Sequence, residues 1–163
     1  MMDDEADALV TCTVNGRRIR ARVPVRQSLV DWLRDGLGLT GSHVGCAHGA
    51  CGACHAVVGG MVVRACLMLA VQCDGETVET IEHAAHTPIG RALQDAFFEC
   101  AAVQCGFCTP GMVLQSAELL AADPHPSRAT IREALSGNLC RCTGYHAVID
   151  AVELAASRLR DAP

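Results

Sequence analysis

The hydrophobic and polar positions of the N-terminal half alternate in short runs, a pattern that predicts strands. Two of these runs flank Asn15-Gly16, a dipeptide that favours a type I′ hairpin turn. Ser28 stands before a run of helical spacing at residues 29–35, where it can serve as an N-cap. This mixture of strands and one helix predicts a small α+β sheet domain. The predicted strands are residues 11–14, 17–23, 55–58, 61–65 and 77–81.

The C-terminal half changes to helical periodicity after a shift in composition at residues 82–87, which we interpret as a linker. Thr87-Pro88 and Thr109-Pro110 each combine a capping residue with a proline, an arrangement typical of helix starts. Thr130 and Glu133 have the spacing of a capping box. Short loops join the predicted helices, which indicates a compact bundle with helices at residues 88–102, 109–122, 130–137 and 145–159.

Composition and charge exclude several classes of protein. Half of the residues are hydrophobic, as in a folded globular protein, and the net charge of −5 argues against a nucleic-acid partner. The arginines within residues 17–26 are interpreted as the solvated face of a strand, with a docking patch for a partner as the alternative. No apolar run approaches the ~18 residues of a membrane span. The acidic start of the chain shows no signal sequence, so we expect a soluble, cytoplasmic protein.

Cysteine is the most informative part of the composition. The chain has 11 Cys but only 3% aromatic residues, so its small cores need bracing beyond hydrophobic burial. In a reducing compartment, dense cysteine indicates metal or redox chemistry before disulfides, and the odd count fits poorly with full pairing. Most of the cysteines fall into two spaced sets. We interpret the others as small buried hydrophobic residues: Cys12, Cys73 and Cys100.

The first cysteine set has the C-x4-C-x2-C spacing of plant-type ferredoxins, followed by a more distant cysteine. It consists of Cys46, Cys51, Cys54 and Cys66. Gly45, Gly49 and Gly52 lie among these residues, where a loop that wraps an anionic cluster needs positive φ angles. His48 or His55 could replace a ligand in a Rieske-like centre, but the loop already offers enough cysteines. The spacing therefore predicts a [2Fe–2S] cluster.

The second cysteine set consists of a C-x2-C pair and a distant C-x-C pair, namely Cys105, Cys108, Cys140 and Cys142. Both pairs stand just before predicted helix starts, where free N–H groups and the helix dipole stabilise negative charge. This placement favours an iron–sulfur cluster. Spacing alone leaves a zinc site open as the alternative, because zinc also binds paired cysteines of this kind.

Three motifs carry a resemblance to a known family, namely Gly45–Cys54, Val103–Met112 and Gly137–Tyr145. From about Thr11 to Ala155 the chain closely resembles the small iron–sulfur subunit of the xanthine dehydrogenase family, the molybdenum hydroxylases. The resemblance implies a plant-ferredoxin-like β-grasp domain at residues 1–83 and a four-helix bundle at residues 84–163. It also implies that each domain holds a [2Fe–2S] cluster, so the second cysteine set becomes an iron–sulfur site.

The resemblance further implies partner subunits and a direction for the electrons. The implied partners are a large subunit with a molybdopterin cofactor, where substrate is hydroxylated, and a medium subunit with FAD, assembled as a dimer of heterotrimers. In such an enzyme electrons pass from molybdenum to the second cysteine set, then to the first set, then to flavin. Gln104 matches a family glutamine that hydrogen-bonds the pterin, and Cys142 is expected near the pterin as well. No catalytic residue is expected on this chain.

Two positions depart from the family pattern, and neither is an implied ligand. Ala47 stands where many relatives carry an acidic residue, and His55 stands where threonine is common, so each can shift a reduction potential. The loop lacks the Thr-Ser-His segment associated with carbon monoxide dehydrogenases. This difference favours an N-heterocycle, a purine, an aldehyde or an aromatic acyl-CoA thioester as substrate. The alternatives are a carbon monoxide dehydrogenase small subunit, a free-standing ferredoxin-like carrier and a zinc-stabilised binding module.

Overall fold

The computed structural model describes residues 6–161, and its N-terminal half is built on one mixed sheet. The strands are β1 Asp7–Val14, β2 Arg17–Pro24, β3 His55–Val58, β4 Met61–Arg64 and β5 Thr77–Glu79. They lie in the order β2-β1-β5-β3-β4. Only the β1–β5 pairing is parallel among the described strands, and the other neighbours are antiparallel. The predicted α+β sheet region is confirmed.

The predicted hairpin is confirmed and is longer than predicted, because β1 begins at Asp7 and not at residue 11. Asn15 and Gly16 have φ angles of +48° and +78°, as a type I′ turn requires. Val14 pairs with Arg17 directly beside this turn. Alternate side chains of β1 therefore point into the core, and Cys12 is one of them.

The helix predicted at residues 29–35 starts as predicted but does not keep α-helical geometry. Ser28 caps α1, Leu29–Asp31, because its hydroxyl accepts a hydrogen bond from the Asp31 N–H at 3.2 Å. The chain then widens into a π-turn, Trp32–Gly36, whose Trp32 side chain is buried in the sheet core. A long irregular loop follows and reaches β3 at His55.

The strand predicted at residues 77–81 is shorter in the structure, and the predicted linker at 82–87 is partly helical. β5 ends at Glu79, and a short helix, α2 Ile81–Ala84, begins two residues later. Ile81 leaves the strand because its side chain packs against the helical core. The Glu82 carboxylate fixes this turn by accepting hydrogen bonds from the Gly41 N–H at 2.8 Å and the Thr80 hydroxyl at 2.5 Å.

The remaining helices agree with the predicted ones in number but differ at their ends. They are α3 Pro88–Glu99, α4 Thr109–Ala122, α5 Arg128–Ala134 and α6 His146–Asp161. Thr87 caps α3 as predicted, by accepting from the Gly90 N–H at 3.0 Å. The predicted capping box at Thr130 is wrong, because Ser127 is the N-cap of α5 and accepts from the Thr130 N–H at 3.1 Å.

Each half of the chain has its own hydrophobic core. In the sheet half, residues 6–80, buried residues such as Leu29 and Leu33 pack under the sheet. In the helical half, residues 81–161, Leu93 and Phe97 of α3 are buried in a core shared with α4 and α6. Across residues 6–161, no helix combines the length and the apolar character that a membrane crossing requires.

The two halves are joined along α4. This helix contacts β3 and β4 of the sheet half as well as α3 of its own half. The Glu118 carboxylate on α4 accepts a hydrogen bond from the Val62 N–H of β4 at 2.7 Å. The loops that carry the two cysteine sets therefore belong to halves that are in direct contact.

Candidate iron–sulfur sites

The first cysteine set lies on the long loop before β3, and its last member follows β4. Cys54 is buried, whereas Cys46, Cys51 and Cys66 are half-buried. Cys46 lies close to Cys51, and Cys54 lies close to Cys66. The loop is tied to the end of β4, because the Ala65 N–H donates to the Cys54 carbonyl at 3.3 Å.

Left-handed backbone conformations fold this loop around its own cysteines. Ala47, Gly49 and Gly52 have φ angles of +56°, +80° and +72°. Glycine adopts this region at little cost, whereas Ala47 adopts it against the usual preference of a residue with a Cβ atom. The turns aim backbone N–H groups at the Cys46 sulfur, with His48 as the strongest donor. Gly49 and Gly52 therefore have the conformational role that the sequence predicted. The prediction is wrong for Gly45, which has no positive φ; a Cβ there would lie 3.2 Å from the Cys51 sulfur, so this position is tight instead.

The second cysteine set comes from two loops that are distant in sequence. Cys105 and Cys108 precede α4, and Cys140 and Cys142 precede α6. The Sγ atoms of Cys142 and Cys105 lie 3.6 Å apart, and Cys108 pairs with Cys140. Cys105 and Cys142 are exposed, whereas the other two are half-buried. The fold thus brings together all the cysteines that the resemblance assigns to this site.

Each set combines a thiol that ionises easily with one that does not. Backbone hydrogen bonds, with that from His48 first, lower the pKa of Cys46 to about 6, while burial raises the pKa of Cys54 to about 11. Burial also raises the pKa of Cys108 to about 12. For Cys140, burial is outweighed by hydrogen bonds that include the Thr143 hydroxyl at 3.2 Å, and the pKa falls to about 7. A metal centre must displace the remaining thiol protons to bind.

The paired arrangement fits two-iron clusters. In a [2Fe–2S] cluster, four cysteines are shared between two irons, so thiolates in pairs suit it. The neighbouring thiols of each set are therefore compatible with a [2Fe–2S] cluster.

The loop of the first set touches both loops of the second set. The Leu139 N–H, next to Cys140, donates to the Cys51 carbonyl at 2.9 Å. His43 stacks on Phe107 with ring centroids 4.7 Å apart, and its Nδ1 donates to the Phe107 carbonyl at 2.8 Å. The sequence did not reveal these contacts, because neither spacing nor periodicity reports how two loops of different halves meet.

Three glycines allow the loops to approach this closely. A Cβ atom at Gly111 would lie 2.1 Å from the Gly52 carbonyl oxygen, and one at Gly52 would lie 2.7 Å from the Gly137 carbonyl oxygen. Both separations are far shorter than any carbon–oxygen contact permits. Glycine is thus required here for space, in addition to the conformational role of Gly52.

The Asn138 side chain lies in the same contact between the loops. We call this contact the joint, and it consists of Gly52, Gly111, Gly137 and Asn138 together with His55. The Asn138 Nδ2 atom lies 3.4 Å from the Gly52 carbonyl oxygen and 3.3 Å from His55 Nδ1. Both side chains, Asn138 and His55, are buried. Burial, and next the positive charge of Arg64, lower the pKa of His55. A neutral ring leaves Nδ1 free to accept the bond from Asn138. His55 is therefore part of the joint and not a substitute ligand.

Tyr145 stabilises the loop that carries Cys140 and Cys142 through hydrogen bonds within that loop. Its hydroxyl accepts from the Cys140 N–H and donates to the Asn138 carbonyl, both at 2.8 Å. Sequence reasoning assigned no role to Tyr145 or Asn138, although both lie inside the motif Gly137–Tyr145. A polar residue on either side of a cysteine pair was the available signal, since such groups commonly support metal ligands.

The other predicted positions are also located. Gln104 is exposed beside Cys105, and its side chain makes no hydrogen bond to another residue in the described part of the chain. Cys12 and Cys73 are buried in the sheet core, as predicted. Cys100 is half-buried against the helical core.

Comparison with known domain families matches both halves. Residues 12–74 match a family described as a 2Fe-2S iron-sulfur cluster binding domain. Residues 77–153 match a family described as a [2Fe-2S] binding domain. The two matches divide the chain between the cysteine sets, one set to each.

Similar whole proteins are enzyme subunits. The chain is 49% identical to the caffeine dehydrogenase subunit gamma of Pseudomonas sp. (strain CBB1), over 89% of each chain. It is 48% identical to the nicotine 6-hydroxylase small subunit of Paenarthrobacter nicotinovorans, over 85% of this chain and 84% of that one. Among solved structures, quinoline 2-oxidoreductase from Pseudomonas putida 86 superposes with a TM-score of 0.89 at 43% identity, covering 95% of this chain and 97% of that chain.

Proposed function

The chain belongs to the small iron–sulfur subunits of the xanthine dehydrogenase family of molybdenum hydroxylases, and from this we propose how electrons cross it. It is an electron-transfer subunit of an oxidoreductase complex, and its cofactors are [2Fe–2S] clusters. The substrate chemistry belongs to a cofactor on another chain. The function of this chain is to hold its clusters close together, partly buried, and at suitable potentials.

We assign one cluster to each cysteine set. Cys46 and Cys51 would bind one iron of the first cluster, and Cys54 and Cys66 the other, because these thiols are paired. The same reasoning pairs Cys105 with Cys142 and Cys108 with Cys140. When bound, the clusters would supply one-electron carriers.

The direction that the family resemblance implies, from molybdenum through the second set and the first set to flavin, is supported by the exposure of the second set and by the loop contact. The second set presents Cys105 and Cys142 at the surface, where a molybdopterin subunit can approach. Gln104 stands exposed beside them and is available to hydrogen-bond the pterin. The hydrogen bond from the Leu139 N–H to the Cys51 carbonyl links the loop that carries Cys140 and Cys142 to the loop of the first set. FAD on a medium subunit would then receive the electrons from the first set. That direct loop contact is the observation that carries the proposal.

The complex that we propose is a dimer of heterotrimers in the cytoplasm. The domain boundary would lie between residues 83 and 84, three residues beyond the division between the two cores at residue 80, with helices α3–α6 as a four-helix bundle. The similar proteins are named for caffeine, nicotine and quinoline. We therefore favour an N-heterocycle as the substrate of the complex, with an aldehyde second, since aldehyde oxidoreductases also match.

The test uses the complex purified through a tag on this chain. We expect two larger chains with molybdopterin and FAD to co-purify, and substrate to reduce the flavin. Cys54→Ser should leave substrate-reduced molybdenum detectable while the flavin stays oxidised, with Cys73→Ala as the matched control. Flavin reduction at the native rate in Cys54→Ser would contradict the proposed order. A colourless chain with stoichiometric zinc would establish the zinc alternative instead.

A further inference from the structure

A positive charge without a carboxylate partner lies beside both cysteine-bearing loops. Arg64 is half-buried at the end of β4, and no carboxylate oxygen within residues 6–161 lies within 4.0 Å of its nitrogens. Its Nε is buried and has no hydrogen-bond partner in the described part of the chain. A partly buried charge is stabilised by an opposite charge nearby, so this placement favours an anion beside Arg64.

The position of Arg64 in the sheet puts it next to the first cysteine set. It pairs across the strands with His55, the residue after Cys54, and it precedes Cys66 by two residues. The Cys54 carbonyl accepts from the N–H of the residue after Arg64 at 3.3 Å. Arg64 thus lies between Cys54 and Cys66 of the first set, the former across the strand pair and the latter along the chain.

The Arg64 side chain extends from the loop of the first set towards the loop that carries Cys140 and Cys142. Its Cδ lies 3.5 Å from where a Cβ of Gly49 would be, and its Nη2 donates to the Gly137 carbonyl at 3.4 Å. A Cβ at Gly137 would lie 2.6 Å from Nη2, so the absence of a side chain there makes room for the guanidinium. Gly137 stands three residues before Cys140.

We propose that Arg64 is the counter-charge of the iron–sulfur sites and favours the electron on the cluster of the first cysteine set. The inference rests on the proposed function, because it needs a cluster in that set. Four thiolates and two sulfides give a [2Fe–2S] cluster a net negative charge, and reduction adds one more electron. A fixed positive charge in a partly buried place is weakly screened, so it stabilises the reduced cluster most where it is nearest. Electrons entering at the second set would then move towards the first.

The test measures the midpoint potentials of both clusters in the full chain by EPR-monitored redox titration, after iron and sulfide have been determined. Arg64→Gln is expected to lower the midpoint potential of the first cluster, and to lower that of the second cluster less. Arg64→Lys, which keeps the charge, should retain a near-native potential. Arg91→Gln removes an exposed arginine from α3 and should change neither potential. Arg64→Met keeps the unbranched stem, and it replaces Arg64→Gln if that variant does not fold.

The outcomes separate this inference from the function on which it rests. An unchanged first potential in a fully loaded neutral variant would overturn the role of Arg64 and leave the electron-transfer function intact. An equal fall in Arg64→Lys would also overturn it, because the charge would not be the cause. A wild-type chain that binds no iron or sulfide would overturn the proposed function and the inference together.

Discussion

Each cysteine set brings four thiols together, but the two sets use different parts of the fold to do so. The first set lies on one loop and the end of the neighbouring strand, and its Cys54 is only 2% exposed. The second set joins the starts of two helices, and its paired Cys105 and Cys142, 37 residues apart, are exposed. Burial of Cys54 shelters part of the first set from water, whereas its other cysteines are half-buried. The exposed sulfur pair leaves the second set accessible to another surface.

The electrostatics of the two sets are nevertheless alike. In each, hydrogen bonds lower the pKa of one thiol, Cys46 or Cys140, and burial raises the pKa of another, Cys54 or Cys108. The first set obtains its donors from left-handed turns, and the second obtains them from a Thr143 hydroxyl and the backbone after a cysteine pair. Different local structures therefore provide the same two things, namely N–H or O–H donors and shelter from water.

Removing one ligand from each set should give the largest effect. We expect Cys51→Ser to lose the first cluster and keep the second, and Cys140→Ser to do the reverse, because the backbone bond from Leu139 to Cys51 does not involve the side chains. Iron content should fall by about half in each variant, since we assign one cluster to each set. EPR spectra and iron analysis provide the measurement, and Cys73→Ala should keep both clusters. Loss of both signals in one variant would show that the sites are not independent.

Adding a methyl group at the joint, by Gly111→Ala, should have the second largest effect. Gly111→Ala places a Cβ 2.1 Å from the Gly52 carbonyl oxygen, in a helix where alanine is otherwise favourable, so its cost comes from the collision. We expect unfolding free energy to fall by about 1–3 kcal/mol or more, as in overpacked cores. Chemical denaturation of the loaded chain measures it.

Gly75→Ala is the matched control for that collision. Gly75 has a φ of +81° and open space around its Cβ position, so only backbone strain is expected there. Its cost should be about 1 kcal/mol. A loss at Gly111 no larger than this would mean that the loops can separate without penalty.

Truncating Asn138 should lower the free energy of unfolding less than the collision at Gly111 does. Asn138→Ala leaves His55 Nδ1 buried without its donor, which costs about 1–3 kcal/mol, while the Gly52 carbonyl keeps the bond from the His55 N–H at 3.3 Å. Denaturation is again the measurement, and Ser136→Ala, at an exposed neighbouring position, is the control. Equal stability of the two variants would contradict a structural role for the amide.

Gln104→Ala should have the smallest effect on the chain itself. The residue is exposed and makes no described side-chain bond, so the free energy of unfolding should change by less than about 0.5 kcal/mol. In the complex, however, we expect slower electron exit from molybdenum or weaker retention of the pterin. Gln94→Ala on α3 is the control. Unchanged turnover and cofactor content in Gln104→Ala would reject the assigned contact.

Local signals in the sequence predicted much of the fold. The Asn15-Gly16 hairpin and the caps at Ser28 and Thr87 follow from the chemistry of adjacent residues, and all three are confirmed. The errors occur where a distant contact decides the outcome. Ile81 leaves the predicted strand to pack on the helical core, and Ser127 replaces Thr130 as the cap of α5.

The sequence by itself determined the chemistry of the protein. Cysteine spacing and the glycines of the first loop indicated its cluster, because all but one of those ligands lie on one short segment whose local conformation they control. Only the tertiary structure decided how the sites relate. The bond from Leu139 to Cys51, the bridge through Asn138 and the place of Arg64 between the loops each join segments far apart in the chain. Such contacts are set by how the two halves pack along α4, and no local pattern records that packing.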